Sequence, residues 1–415
     1  MKTDLERFEI DTSGDCAAVM RAIDSAIPTL NRVYCVHLQS SSTSGFTGNI
    51  LHAMLARGPG SGAEQEAEGA RLLAGAKDVE SAVLVEQLDA ITRKVAGVAI
   101  DQARWFSELT PEAALAWLQN SAPENIRNAF QNFLQRHGHR GYRELCLRQP
   151  SWSQAPMDLV TTIQTSVRAR IGNNTAQSSP ETIKPGELSA GLRWFLPKAH
   201  NAIRRRETTK SMLVQTTHKL SEAYHVLGQC LVSEKVLTDS DQVFFLTHEE
   251  LKALVENTNR AGGNNEAWAD IADRRRVALS YQDKLQFDDI CYGAPQPLDS
   301  RQWVNGQDDL ISGRPVSRGV VQGIARVAHS VEEASALQSG EILVAPITDV
   351  GWTPYFNLIS GLVTDIGSSV SHGAVIAREY GLPAIVNTRV GTRKIATGDL
   401  IRLDANKGIV ELLGQ

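Results

Sequence analysis

The sequence predicts a multidomain protein in which a mostly α-helical region is followed by a small α/β domain. Its 415 residues are enough for two or three domains, each with its own core. From about residue 15 to 290, apolar residues recur at helical spacing between short polar loops. From about 315 to 415, short β-rich runs alternate with short helical patterns, which is typical of an α/β domain. We therefore predict a helical domain at 1–291, a linker at 292–315 and an α/β domain at 316–415.

Helices of the first region follow from capping signals and apolar periodicity. Thr110-Pro111 provides a cap residue followed by proline at the first helical position, so a helix begins there. Residues 63–100 carry apolar side chains spaced by threes and fours, and so do residues 126–134. Residues 190–231 form the longest helical pattern. Val243–Leu246 is apolar and lies between a polar turn and a capped helix, which predicts a short strand.

Polar and glycine-rich stretches mark loops and the domain boundary. Residues 173–187 and 257–265 are predicted loops. Residues 292–315 contain three prolines and three glycines, which predicts a hinge between the two regions. Beyond it, the predicted strands of the α/β domain are 319–327, 341–346, 361–364, 400–403 and 408–412.

Composition excludes several classes of protein and partner. A net charge of −5 and an isoelectric point near 6.1 argue against binding to nucleic acid or to anionic membranes. No run approaches the roughly eighteen apolar residues that span a bilayer. The polar N-terminal residues show no secretory signal, so we expect a cytoplasmic protein. The five cysteines are far apart, which predicts reduced thiols and no metal site; they are Cys16, Cys35, Cys146, Cys230 and Cys291.

One histidine stands at the predicted start of a helix in the α/β domain. A strand ends at Thr364, a loop of small residues follows, and Ser371 precedes His372 as a helix cap. The free backbone N–H groups and the dipole at a helix start attract an anion. A neutral imidazole is nucleophilic near pH 7, and a phosphoryl group would add about 1.5–2 negative charges there. A Ser-His pair taken alone more often marks only a capped helix with an exposed ring.

The sequence around His372 resembles the phosphohistidine signature of the phosphoenolpyruvate-utilising enzymes. The resemblance lies in Thr-Asp-x-Gly at 364–367, Ser-His-Gly-Ala at 371–374 and Ala-Arg-Glu-Tyr-Gly-Leu-Pro-Ala at 377–384. It implies that His372 carries the phosphoryl group. The loop and phosphate-supporting residues that it implies are Gly367, Ser368, Ser369, Ser371, Gly373 and Arg378. This chain departs from the family at Ser368, where a second glycine is usual, and the serine narrows the freedom of the loop backbone.

The same resemblance extends to other parts of the chain. Residues 317–320 and 343–354 look like the family's swivelling phosphohistidine domain, a small α/β body that shuttles between a nucleotide site and an acceptor site. It implies that Thr348, Asp349 and Trp352 border the His372 loop, although turn formation and packing explain them equally. Three segments of the helical region resemble the central domain of rifampicin phosphotransferase-like members, namely 133–152, 204–210 and 241–251.

Basic side chains in these segments are the candidate substrate-binding residues. Arg206 and Lys210 are four residues apart on a helix and project from one face, where two cations can hold a phosphoryl group. The alternative is a solvated basic face balanced by Glu207. His139 and Arg140 stand in a glycine-flanked bend that either approaches a ligand or serves only as a turn. His37 and His52 are expected to be packing or capping residues.

The family's reaction begins with ATP on an ATP-grasp domain, and we find no counterpart of that domain in this sequence. The resemblance implies that ATP and Mg2+ belong to that missing domain, while this chain binds no cofactor or metal itself. We expect the phosphotransferase part of such an enzyme, with a separate ATP-grasp domain and a small-molecule acceptor as partners. Two alternatives stay open: a pseudoenzyme that serves as a regulatory module, and a binding protein that uses only the helical domain.

Overall fold

The computed structural model describes residues 8–57, 62–74, 76, 79–172, 188–258, 266–282, 285, 287, 292–297, 310–334, 336–368 and 371–413. The predicted loop at 173–187 lies outside these residues, and so do 259–265 of the other predicted loop. Residues 298–309 of the predicted linker and Ser369 of the predicted phosphate loop also lie outside them.

Helices dominate the first region, as predicted. The α-helices of the described chain are α1 (Cys16–Leu55), α2 (Gly62–Ala74), α3 (Glu80–Ala96), α4 (Ile100–Glu108), α5 (Pro111–Ala116), α6 (Glu124–His137), α7 (Met157–Ile171), α8 (Ala190–Ser233), α9 (His248–Thr258), α10 (Glu266–Gln282), α11 (Val331–Ala334), α12 (His372–Glu379) and α13 (Gly391–Lys394). The predicted cap of α5 is present, because Thr110 Oγ1 accepts a hydrogen bond from Ala113 N at 3.3 Å. In the described chain, no helix has both the length and the apolarity needed to cross a membrane.

The helical pattern over residues 63–100 is present and is divided between α2, α3 and the start of α4. One prediction in the helical region was wrong in detail. The predicted strand Val243–Leu246 lies largely in a 3-10 helix, Ser240–Phe245, which begins at a capping box between Asp239 and Gln242. Val243 and Phe245 are both buried in the structure. A short apolar run does not distinguish the two structures by periodicity alone.

The chain forms two compact units, and the first contains Met1–Val33, Leu145–Arg148 and Gln215–Asp308. Cys16 and Cys230 form a disulfide in this unit, which contradicts the prediction that all the cysteines are reduced. The two residues are 214 positions apart in sequence, so their proximity arises only from the packing of α1 against α8. Glu234 places a carboxylate oxygen within 4.8 Å of both sulfurs, a grouping that could hold a metal ion only if the disulfide were reduced.

The second unit contains Tyr34–Glu144, Gln149–Val214 and Asp309–Gln415. The described part of this unit includes an eight-stranded sheet with the order β1-β8-β7-β3-β4-β5-β6-β2. Its strands are β1 (Leu310–Ser312), β2 (Arg314–Ser317), β3 (Val320–Val327), β4 (Ile342–Ala345), β5 (Gly361–Thr364), β6 (Ala384–Val386), β7 (Leu400–Asp404) and β8 (Ile409–Leu412). The α/β organisation of the C-terminal region is therefore as predicted.

The last residues of the predicted linker belong to the sheet. β1 pairs with β8 and β2 pairs with β6, both antiparallel, so most of residues 310–315 lies in edge strands. Gly313 and Pro315 had suggested a hinge, but proline is tolerated on an edge strand because no ladder hydrogen bond is lost there. The functional division at 291 and 315 otherwise stays a prediction.

The centre of the sheet is parallel and fully buried. β4 pairs with β5 in a register that places Leu343 opposite Leu362 and Ala345 opposite Thr364. Every residue of both strands is buried, as expected for a parallel sheet that is covered on both faces. The carboxyl ends of the two strands therefore lie side by side, and the loops that leave them emerge at one edge.

Helices of this unit cover one face of the sheet. Phe106, Phe130 and Phe133 are fully or nearly fully buried in one cluster that also contains Leu343 and Leu362. A separate cluster fills the opposite face of the sheet, with members that include Val344, Val363 and Ile401. The first cluster contains buried residues of the helices and of β4 and β5. The loops at the carboxyl ends of these two strands therefore face the helical part of the same unit.

We expect Gly373→Ala to destabilise this unit markedly. A Cβ at residue 373 would lie 2.2 Å from Thr348 Oγ1 and 3.2 Å from Leu362 Cδ2, so the loop after β4 must shift. Overpacking of this kind costs about 1–3 kcal/mol, which urea unfolding measures. Gly48→Ala is the matched control, because a Cβ there meets nothing within 4 Å and alanine favours the helix. Equal unfolding midpoints for the two variants would show that the close approach of Gly373 to Thr348 does not contribute to stability.

Candidate functional site

The site lies where the loops after β4 and β5 meet. The loop after β4 leads into a 3-10 helix, Val350–Asn357, whose start is capped by the Asp349 side chain. The loop after β5 leads into α12, which begins at His372. In parallel sheets, ligands bind at the carboxyl ends of neighbouring strands, and both loops stand there.

His372 is the first residue of α12, as predicted, and it is half-buried. Its Nε2 atom lies 2.9 Å from the hydroxyl oxygen of Thr353. Ser371 occupies the cap position, but its hydroxyl does not cap the helix as predicted. It donates instead to the Ser368 carbonyl at 2.8 Å, and the Ser371 backbone N–H donates to the same oxygen at 3.0 Å. These two bonds close the loop tightly before the histidine.

The glycines of the loop are required by close packing. A Cβ on Gly367 would lie 2.9 Å from Val386 Cβ and 3.3 Å from Ser371 Oγ. The contact of Gly373 with Thr348 described above holds the first turn of α12 against the loop after β4. Gly367, Ser368 and Gly373 therefore shape the backbone beside His372, whereas Arg378 is buried six residues further on, about 9 Å along the helix axis.

Three cations of the helical region act on the His372 ring. Burial lowers the pKa of His372 well below its ordinary value, and the charges of Lys210, Arg140 and Arg206 lower it further. The ring is therefore neutral around pH 7, with a lone pair on one nitrogen. Arg206 and Lys210 lie on α8, and Arg140 follows α6 in a bend. The structure thus brings together His372 and three of the four predicted substrate-binding residues.

A buried carboxylate joins two of these cations. Glu144 Oε2 lies 2.9 Å from Arg140 Nε, and its Oε1 lies 3.0 Å from Lys210 Nζ, with the Glu144 side chain 5% exposed. Burial acts to raise the pKa of Glu144, but Arg140 and Lys210 more than offset this and hold it below its ordinary value. The fourth predicted residue, His139, adds a smaller effect in the same direction.

Arg206 and Lys210 are partly buried rather than fully solvated, with side chains 19% and 20% exposed, and Glu207 balances Arg206 as the alternative expected. Arg206 forms an ion pair with the buried carboxylate of its neighbour Glu207. His37 of α1 lies near the two cations: burial, Arg206 and Lys210 all lower its pKa, and its Nδ1 lies 3.2 Å from Thr209 Oγ1. His37 is therefore a neutral residue beside the cation group.

Asp349 ties the loop after β4 to the bend that contains Arg140. Its Oδ1 accepts a hydrogen bond from Gly351 N and its Oδ2 accepts one from Arg143 N, both at 2.9 Å. Burial raises the pKa of Asp349 above its ordinary value, while the two amide donors oppose this rise. Arg143 has a φ of 48°, which is uncommon for a residue with a side chain, so the bend takes an unusual shape where it meets Asp349.

The structure adds three residues that sequence reasoning did not assign to the site, namely Thr353, Glu144 and His37. Thr353 lies within residues 343–354, which the resemblance had already indicated, but this side chain was not assigned a role. Glu144 is four residues after Arg140, but that spacing indicates contact only within a helix, and these residues form turns. No sequence signal connects His37 with residues 206–210. Trp352 is buried and packs in the core, which agrees with the packing role given as the alternative for it.

The donors at this site suit an anion better than a metal ion or Mg2+-bound nucleotide. The carboxylates Glu144 and Glu207 are each engaged by cations, and Asp349 is engaged by backbone amides. Mg2+ prefers free carboxylate oxygens and nucleotide phosphates, which this group of residues does not offer. A cavity of about 50 Å3 lies beside the loop after β4, lined by Tyr142, Trp152 and Gly351 among others. What the arrangement can do is present a neutral imidazole to a phosphoryl group amid positive charge.

Two family models match the parts of the chain that form this site. The rifampicin phosphotransferase fourth domain matches residues 37–207, which include Arg140, Glu144 and Arg206. The mobile domain of PEP-utilising enzymes matches residues 337–408, which include Thr353 and His372.

Curated relatives agree with these matches. A rifampicin phosphotransferase of Bacillus cereus is 31% identical over 71% of this chain and 35% of its own length. A rifampicin phosphotransferase of Streptomyces sviceus is 32% identical over 69% of this chain and 34% of its own length. The prodigiosin synthesizing transferase PigC of Serratia marcescens is 30% identical over 68% of this chain and 33% of its own length. The aligned part of this chain spans about one third of the length of these relatives. The chain belongs to the phosphoenolpyruvate-utilising enzyme family.

Proposed function

We propose that this chain is the acceptor-binding and phosphohistidine part of a dikinase-like phosphotransferase. The observation that supports it best is the neutral His372 ring held among Lys210, Arg140 and Arg206. A histidine with only a packing role does not require nearby cations. A phosphohistidine does, because the phosphoryl group adds about two negative charges that positive side chains must balance. The family matches are in accord with this chemistry.

Two displacements at phosphorus make up the reaction. In the first, a lone pair of His372 forms an N–P bond as the P–O bond to the donor breaks, and the electron pair leaves with the donor oxygen. In the second, an acceptor oxygen forms a P–O bond as the N–P bond breaks. Lys210 and Arg206 stabilise charge on the equatorial phosphoryl oxygens, and Arg140 adds to the same field. Lys210 moves from Glu144 to the phosphoryl group when that group arrives.

The donor is ATP bound with Mg2+ on an ATP-grasp domain, which we propose acts in trans on this chain. The acceptor is a small molecule with a hydroxyl or enolate oxygen. Relatives are named for rifampicin and for prodigiosin synthesis, which favours a larger organic acceptor over a pyruvate-sized one. The activity of those longer proteins is extended to this chain only as part of the proposal.

We further propose that the eight-stranded sheet together with α12, which begins at His372, moves between the donor and the site described here. Two ion pairs that join this part to α2 are long and partly exposed: Arg314–Glu66 at 3.5 Å and Arg318–Glu68 at 3.4 Å. Such pairs contribute about 0–1 kcal/mol each, so they separate readily. The apolar contacts of the shared core must separate as well, and binding to the donor domain compensates for that loss.

A second candidate is a regulatory module that keeps the fold without the chemistry. Ser368 favours it, because a side chain stands where the family usually has glycine beside the phosphohistidine. In the structure, however, the Ser368 carbonyl accepts both hydrogen bonds that close the loop, and this backbone role does not depend on its side chain.

The central experiment measures acid-labile phosphate on the intact chain. The purified protein is incubated with ATP and Mg2+, with and without a separately supplied ATP-grasp domain of a rifampicin phosphotransferase. We expect one phosphoryl group per chain, stable in base and lost in acid, only when that domain is present. The variant His372→Ala should carry none.

Controls separate loss of chemistry from loss of fold. His372→Asn keeps a side chain at the start of α12 and should have an unchanged unfolding midpoint but no label. Label on His372→Ala, or no label on the wild-type chain under either condition, would overturn the phosphotransferase proposal and favour the regulatory module.

We expect Lys210→Met to slow phosphoryl transfer and to shift its pH dependence. Loss of a charge-assisted contact removes about 1.5–3 kcal/mol, which corresponds to a roughly 10- to 160-fold fall in rate. In the wild type, the lowered pKa of His372 keeps the ring neutral to a pH below its ordinary pKa, so the rate declines only when the pH falls through the lowered pKa. Because Lys210 is one of the cations that lower this pKa, its removal raises the pKa and moves the decline to higher pH.

Lys198→Met serves as the comparison for this profile. Lys198 lies on the same helix but is placed over the Trp194 ring, so its loss should change neither the rate nor the pH at which the rate declines. An unchanged pH dependence of the rate in Lys210→Met would show that the Lys210 charge does not affect the pKa of His372.

A further inference from the structure

The disulfide of the first compact unit joins the start of one long helix to the end of another. Cys16 is the first residue of α1, and Cys230 lies in the last turn of α8, with 5.7 Å between their Cα atoms. Cys16 is buried, whereas Cys230 is half-buried and can be reached from solvent. A dithiol reductant that supplies two electrons and two protons is itself oxidised to a disulfide and leaves two thiols here. Two potential metal ligands then face each other across the helices.

A carboxylate completes the group. Glu234 follows Cys230 by four residues, and its backbone N–H donates to the Cys230 carbonyl at 3.0 Å, so it continues the last turn of α8. Its Oε1 lies 3.9 Å from Cys230 Sγ, and the carboxylate oxygen and both sulfurs lie within 4.8 Å of one another. Ligand atoms that are about 2.0–2.3 Å from a tetrahedral zinc ion are roughly 3.5–4 Å apart. Small side-chain rotations after reduction therefore suffice to place all three atoms around one ion.

The charge at the end of α8 is an independent indication of a cation. The C-terminal end of a helix carries about half a negative charge, and a nearby cation stabilises it by about 0.3–1 kcal/mol. The last turn of α8 contains no basic residue, and the exposed Glu234 adds a full negative charge beside it. Within the described chain, no Lys, Arg or His side chain pairs with this carboxylate, the adjacent Lys235 included. The position of Glu234 is therefore unfavourable without a cation and favourable with one.

We propose that reduced Cys16 and Cys230 form, together with Glu234, a zinc site that the disulfide excludes. Zn2+ is bound by thiolate and carboxylate ligands, and three protein ligands leave the fourth position to water. Mg2+ and Ca2+ prefer oxygen ligands, so the two thiolates select against them. Both thiols lose their protons to water as the sulfurs bind the ion. The ion enters from the side of Cys230 and Glu234, which is open to solvent.

Cobalt binding tests the site, because Co2+ replaces Zn2+ and its bonds to thiolates absorb in the near ultraviolet. Cys35 and Cys146 are exposed free thiols, and Cys291 lies outside the described residues, so all three are first replaced by serine. In the reduced, chelator-treated protein we expect one Co2+ per chain with a thiolate band that one equivalent of Zn2+ abolishes. The oxidised protein should show no band. A reduced protein without the band would overturn the proposal, and so would an equal band in the oxidised protein.

Substitutions identify the ligands. Cys230→Ser should weaken Zn2+ binding by roughly a hundredfold or more and Glu234→Gln by roughly tenfold, since even residues behind the ligands of metal sites contribute about 10- to 100-fold. Glu222→Gln is the matched control, because Glu222 lies on the same helix but pairs with His218 at 3.4 Å. Equal affinities of Glu234→Gln and the unsubstituted chain would overturn the three-ligand site. The comparison of oxidised and reduced protein needs no ligand variant, so it decides the question even if these variants fail to fold.

Zinc should also stabilise the reduced protein against urea. The ligands come from two helices that separate on unfolding, so an ion held by both binds the folded state in preference. We expect the midpoint of the first unit to rise with Zn2+ and to stay unchanged with the same concentration of Mg2+. An unchanged midpoint at saturating Zn2+ would contradict an ion that bridges α1 and α8. None of these measurements depends on phosphorylation of His372.

Discussion

The site depends on the ion pairs that Glu144 forms with Arg140 and Lys210. Several cations crowded around a neutral ring repel one another, and in a buried place this repulsion is poorly screened. Glu144 offsets it from within the protein, with one oxygen on each cation. Glu207 does the same for Arg206. Removal of a buried partner leaves an uncompensated charge, which is strongly destabilising, so the carboxylates are as necessary to the arrangement as the cations.

The parallel pairing of β4 and β5 supplies the other half of the arrangement. It sets Thr353 and His372 on loops that leave the sheet at one edge, and Gly373 lets the first turn of α12 approach the loop after β4. Asp349 then connects that loop to the bend that carries Arg140. The α/β domain and the helical segment with Arg140 therefore meet near the His372 ring. The β4–β5 register, the close approach at Gly373 and the Asp349 carboxylate hold them there.

Much of this organisation was predictable from the sequence, and the reasons differ by residue. The local order of strand end, small-residue loop and helix start placed His372 at a helix start, and the resemblance of the surrounding residues to the family signature selected it. Helical spacing placed Arg206 and Lys210 on one face, and the same resemblance made them candidates. Thr353 and Glu144 were missed because their roles depend on contacts between distant segments. The Cys16–Cys230 bond was missed for the same reason, since separation in sequence carries no information on packing. The Val243–Leu246 error arose from a short apolar run, which fits more than one local structure.

Glu144 also lowers the affinity of the unphosphorylated site for free anions. A cation that already has a buried carboxylate partner gains little from a passing inorganic phosphate or sulfate, because the existing ion pair must be broken first. In the proposed reaction, a phosphoryl group delivered on His372 itself, at a fixed position and high local concentration, would compete with that carboxylate. After transfer to the acceptor, Glu144 would pair with Lys210 again. Under that proposal, the carboxylate would make the site selective for a covalently delivered anion and would favour release of the product.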